Sequence, residues 1–117
     1  MESKFTEAAG LVTHYLEHGR GDATIVLVHG GGAGADARGN WQTVLPRLEG
    51  YRAVAVDMPG FGESAKPGPD TGYGYTQDER DDHLAAFIER IGAGRPVVLV
   101  GNSMGGLTAL GVARKRP

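Results

Sequence analysis

The apolar positions of the chain gather in three short runs, not in one long stripe. Residues 24–29 (TIVLVH), 51–57 (YRAVAVD) and 96–100 (PVVLV) are rich in β-branched residues and run into glycine- or proline-containing turns. A run of this kind reads as a strand covered on both faces, as in a parallel sheet between helical layers. Residues 11–15 (LVTHY) and their flanks mix apolar and polar side chains, as a half-buried strand does. Helical spacing fills the intervals. Asn40 can cap a helix over residues 41–48, with Trp41, Val44, Leu45 and Leu48 on one face and an end near Gly50. Thr76 opens a longer helix with Glu79 as the acid of a capping box; Leu84, Phe87, Ile88 and Ile91 form its buried stripe, and Gly92 or Gly94 ends it. A third helix runs from Met104 through Leu107, Leu110 and Ala113. The β-α-β-α-β-α alternation predicts a mostly parallel, doubly wound sheet with helices on both faces, one domain over residues 1–117.

Two glycine-rich junctions break this pattern where chemistry is expected. Gly101-Asn102-Ser103-Met104-Gly105 matches G-x-S-x-G, with a buried strand before it and a helix after. A strand that turns directly into a helix leaves no room for side chains two positions either side of the serine. Its hydroxyl is then held at the helix N-terminus, where the Met104 N–H can face an oxyanion. The second junction, His29-Gly30-Gly31-Gly32, follows the first buried strand and suits a second oxyanion donor. His29 itself lies at a strand end beneath the loop and reads as structural. A tight turn or a phosphate-binding glycine loop is the alternative for the serine junction, although the Walker and dinucleotide fingerprints are both absent there. Residues 58–75 (MPGFGESAKPGPDTGYGY) form a long aperiodic loop after a parallel strand, where open α/β sheets bind ligands.

Composition narrows the function classes. A net charge of −2 without a basic cluster, except Arg114 to Arg116, speaks against nucleic-acid binding. No apolar stretch approaches the roughly 20 residues of a membrane span. With no cysteine, disulfides and thiolate metal sites are excluded, and neither metal-ligand spacing nor a cofactor motif is present. The start MESKFTEAAG lacks a signal-peptide pattern, so a cytoplasmic protein is expected.

Together, VLVHGGGAGADARGNW, VDMPGFGESAKP and VLVGNSMGG resemble the α/β-hydrolase superfamily, and more narrowly the meta-cleavage product hydrolases. The resemblance runs from about Val12 onward; HGGGAGA followed by Asn40, and the asparagine directly before the serine, are its narrower marks. It implies a cofactor-free enzyme that cuts a carbon-carbon bond in a small-molecule substrate, a dienoate from aromatic ring fission. Ser103 would be the nucleophile, Gly31 and Met104 the oxyanion donors, and Gly32, Asn40 and Asn102 substrate-binding positions, the two asparagines also holding the active-site loop. The family's acid and histidine follow the serine and a helical lid, whereas here only fourteen residues follow Ser103. The chain is therefore expected to be the N-terminal part of such a hydrolase, without lid or C-terminal strands, inactive alone, and from an intact protein able to form homo-oligomers. The residues 97–100 strand should then have an open edge. Asp57 is expected to be structural, His14 and His18 to sit on an early strand, and His83 to face solvent beside Asp81, Asp82 and Glu89. Trp41 and Phe61 are expected to pack. A carboxylic-ester hydrolase and a noncatalytic binding module are the rival readings; dehalogenase and epoxide-hydrolase chemistry would place a carboxylate where Ser103 stands.

Overall fold

A computed structural model describes residues 1–92 and 95–116, so the alternative helix end at Gly94 lies outside the described residues. Its sheet contains β1 (Glu2–Ala8), β2 (Leu11–His18), β3 (Thr24–Val28), β4 (Arg52–Val56) and β5 (Val97–Gly101) in the order β1-β2-β4-β3-β5. The β3 strand pairs in parallel with β4 and β5, while β2 pairs antiparallel with β1 and β4. The parallel α/β core is as expected; the hairpin in front of it is an addition. Ala9 and Gly10 make its turn with φ of 49° and 78°, the double positive φ whose twist matches a two-residue hairpin.

Alternation along the strands sorts the core into two layers. Val26, Val28, Val54 and Val56 point to one face and pack with Leu84, Phe87, Ile91 and Val112 of α2 (Gln77–Ile91) and α3 (Met104–Lys115). Ile25, Leu27, Ala53 and Ala55 point to the other and meet Leu16, Ala37 and Leu45, beneath the short α1 (Ala37–Trp41). Because the central strands are buried on both sides, they read as continuous apolar runs. At β5 only one face is covered: Val97 and Leu99 join the α2–α3 layer, while Val98 and Val100 are 54% and 38% exposed. Among the described residues β5 pairs with β3 alone, which is the expected open edge.

Two local expectations are corrected. The helix expected over residues 41–48 starts earlier: Asp36 is the cap, accepting the Gly39 N–H at 2.7 Å, and α1 ends at Trp41. Pro46 has no N–H to continue a helical ladder, so the chain resumes only as a single 3-10 turn at Leu45–Arg47. Asn40 lies inside α1 and does not cap it. The second correction concerns α2, whose Thr76–Glu79 capping box is present as expected. His83 and Asp81 are buried, not solvated. His83 turns toward β2, where its Nε2 lies 2.8 Å from Thr13 Oγ1.

Candidate active site

The turn from β5 into α3 is as tight as the glycine spacing requires. A methyl group on Gly101 would stand 2.4 Å from the Gly105 carbonyl oxygen, and one on Gly105 would stand 2.2 Å from that of Val28. Both distances are far inside contact, so only glycine lets α3 approach the ends of β3 and β5 this closely. Ser103 between them has φ 57° and ψ −115°, a left-handed conformation that costs a non-glycine residue on the order of 1–3 kcal/mol. Its hydroxyl makes no capping bond to α3, and the residue is exposed.

The His29–Gly32 loop is folded over this turn. A methyl group on Gly31 would meet Met104 Sδ at 2.7 Å, and one on Gly30 would lie 3.8 Å from Ser103 Cβ. Among the described residues neither the Gly31 nor the Met104 backbone N–H donates to a protein acceptor. Two backbone donors without a protein acceptor thus lie on the two junctions that meet at the exposed Ser103, at a helix N-terminus, a set of groups suited to stabilising an oxyanion. Gly32 is exposed, and a methyl group there would touch nothing within 4 Å.

Asn40 joins the two junctions. Its Oδ1 accepts the Gly30 N–H at 3.1 Å and the Asn102 Nδ2–H at 2.9 Å. Both residues sit beside the serine, holding the loop to the turn. His29 lies beneath the loop, fully buried: Nδ1–H donates to the Gly30 carbonyl at 2.7 Å and Nε2 accepts the Met58 N–H at 3.0 Å. Phe61 closes on its ring at a centroid distance of 4.9 Å, and Trp41 packs on the α1-side core. With both nitrogens engaged, His29 serves the loop's shape.

Asp57, at the end of β4, is a hub that sequence reasoning placed as structural without finding its partners. Its carboxylate accepts the Ala37 N–H at 2.7 Å, the Glu63 N–H at 3.0 Å and His14 Nδ1–H at 2.7 Å. It therefore ties α1, the residues 58–75 loop and β2 together. A methyl group at Gly62, which has φ 54°, would fall 2.1 Å from this carboxylate. Among the described residues no carboxylate or imidazole bonds to Ser103, and each of the four histidines of the chain is described. A cavity of about 550 Å³ lies between α2, β5 and α3, lined by Ile88, Pro96, Val97, Leu99, Val112 and Arg116. Neither Ser103 nor the His29–Gly32 loop is among the residues that line it.

Comparison with known proteins agrees with the fold. Residues 23–117 match the family model described as the alpha/beta hydrolase fold. A 2-hydroxy-6-oxo-6-(2'-aminophenyl)hexa-2,4-dienoic acid hydrolase from Metapseudomonas resinovorans is 50% identical over 111 residues, which are 94% of this chain and 37% of that protein. A 2-hydroxy-6-oxo-2,4-heptadienoate hydrolase from Pseudomonas putida is 40% identical over 94% of this chain and 38% of its own length. Among solved structures, a serine hydrolase involved in carbazole degradation superposes with a TM-score of 0.90 at 47% identity, covering 98% of this chain and 43% of that one. The chain thus spans well under half the length of the relatives it matches.

Proposed function

The chain belongs to the alpha/beta hydrolase fold family, and we propose that it supplies the nucleophile and oxyanion-binding part of a hydrolase that cleaves a carbon-carbon bond in 2-hydroxy-6-oxo-hexa-2,4-dienoates. The observation that carries this reading is the pairing of an exposed, strained Ser103 with the free Gly31 and Met104 N–H groups, held in register by Asn40 and Asn102. Relatives 50% and 40% identical over 94% of this chain are named for dienoate hydrolysis.

In the proposed reaction the dienol is first ketonised. The electrophile is then the C6 carbonyl, whose oxygen would lie between the Gly31 and Met104 N–H groups. One such donor is worth roughly 3 kcal/mol when charge develops on the oxygen. Cleavage with addition of water gives 2-hydroxypenta-2,4-dienoate and a carboxylic acid. Gly32, Asn40 and Asn102 border the space where the dienoate would lie. Ser103 has no general base among these residues, so we place the acid and histidine of its triad on a segment outside these 117 residues. The chain alone is then expected to turn over little or no dienoate, because a serine without its base loses several orders of magnitude in rate.

The test is a chimera in which these 117 residues are followed by the remaining residues of the Metapseudomonas resinovorans relative. It should hydrolyse 2-hydroxy-6-oxo-6-phenylhexa-2,4-dienoate with a kcat/KM at least about 100-fold above that for p-nitrophenyl acetate, a difference of about 2.7 kcal/mol in transition-state binding. The opposite ranking would favour a carboxylic-ester hydrolase, which needs the same serine and donors but not the paired asparagines.

A further inference from the structure

A second serine in the chain has the partners that Ser103 lacks. Ser3 Oγ lies 2.6 Å from His14 Nε2, and His14 Nδ1 lies 2.7 Å from Asp57 Oδ2. We propose that Ser3, His14 and Asp57 form a second nucleophilic serine site, reactive toward small phosphonyl and acyl compounds that carry a good leaving group.

The hairpin register builds the site. Phe5 pairs directly with His14 and Ser3 with Leu16, so Ser3, Phe5 and His14 share one face of β1 and β2. The Phe5 ring covers the imidazole at a centroid distance of 5.0 Å. His14 and Asp57 are each 2% exposed, whereas Ser3 is open to solvent. The Ala37 and Glu63 N–H groups fix the Asp57 carboxylate from two other directions. In the neutral imidazole whose Nδ1–H is donated to that carboxylate, the Nε2 lone pair is placed to accept the Ser3 hydroxyl proton. These are the roles of a nucleophile, a base and an orienting acid. Glu63 Oε2, 3.4 Å from Nε2 on the solvent side, steadies the imidazolium that forms. The β1 and β5 strands are opposite edges of the sheet, four strand spacings or roughly 19 Å apart, so this site is separate from Ser103.

With a fluorophosphonate the step balances simply. The Ser3 oxygen forms a bond to phosphorus, the phosphorus-fluorine bond breaks, fluoride leaves, and the hydroxyl proton passes to His14 Nε2 and then to water. The product is a stable phosphonyl-Ser3.

The experiment uses the 117-residue chain carrying Ser103→Ala, treated with a fluorophosphonate at neutral pH and mapped by peptide mass spectrometry. One adduct is expected, on Ser3, forming about 100-fold faster than in the same chain unfolded in urea, the scale of general-base assistance. Ser3→Ala should abolish it and His14→Gln should slow it by a similar factor. The urea comparison decides the matter if His14→Gln fails to fold. No adduct, an adduct on another residue, or equal rates in folded and unfolded chain would overturn the proposal. Labelling of Ser103 but not Ser3 in the unsubstituted chain would also overturn it, while leaving the reading of Ser103 intact.

Discussion

At the scale of single residues, His83 shows how a polar group is held inside the fold and at what cost. Its Nε2 bonds Thr13 Oγ1 across the α2–β2 contact, while its Nδ1 has no partner among the described residues. Burial pushes the imidazole down to about 4 from an ordinary value of 6.5. Between these values the unfolded chain binds a proton that the folded chain refuses, so stability falls as pH falls. The contribution is fully present above pH 6.5 and is lost progressively toward pH 4, up to about 3 kcal/mol in all. Urea unfolding across this range should reveal that slope, and His83→Gln should flatten it; an unchanged slope in the variant would contradict the assignment. Sequence alone misled here, because a histidine flanked by Asp81 and Asp82 resembles a solvated face. What decides is angular position: Asp81 and Leu84 also point inward, and Gly111 gives Asp81 room, a methyl there falling 2.2 Å from its carboxylate.

At the scale of elements, the most legible feature is the start of α2. Thr76 Oγ1 accepts the Glu79 N–H at 3.1 Å and Glu79 Oε1 accepts the Thr76 N–H at 3.0 Å. The Gly74 and Thr76 N–H groups hold the Glu79 carboxyl below its usual range. Thr76→Ala should lower stability by about 1 kcal/mol and Thr76→Ser should restore most of it, measured by thermal unfolding. No difference between the two variants would mean that the cap is energetically idle. A capping box is readable because its two partners are three residues apart. The loss of residues 41–48 as one helix was less readable: the apolar spacing of Trp41, Val44, Leu45 and Leu48 is truly helical, and those side chains do face one core layer, yet Pro46 removes the bond that would make them continuous. The β1 strand was missed for a different reason. ESKFTEA has little apolar content to mark a strand, and its place depends on pairing with β2.

At the scale of the whole molecule, the sheet assembles a site from residues far apart in the chain. The ends of β3 and β5 bring His29–Gly32 against Ser103, and α1 delivers Asn40 between them. The two glycine-rich junctions were legible because each is a contiguous run of residues, although only the Gly101 clash with the Gly105 carbonyl is local, while Gly105 is kept small by the Val28 backbone. The Asp57 hub was not, since its partners Ala37, Glu63 and His14 come from three different elements and two of them are backbone N–H groups. The central claim is that Ser103 performs the bond cleavage with the Gly31 and Met104 donors beside it. The most direct measurement is release of 2-hydroxypenta-2,4-dienoate from the phenyl dienoate by the chimera with and without Ser103→Ala. The account predicts a loss in kcat on the order of 10⁴-fold or more in the variant; turnover by the variant within a few-fold of the unsubstituted protein would contradict it.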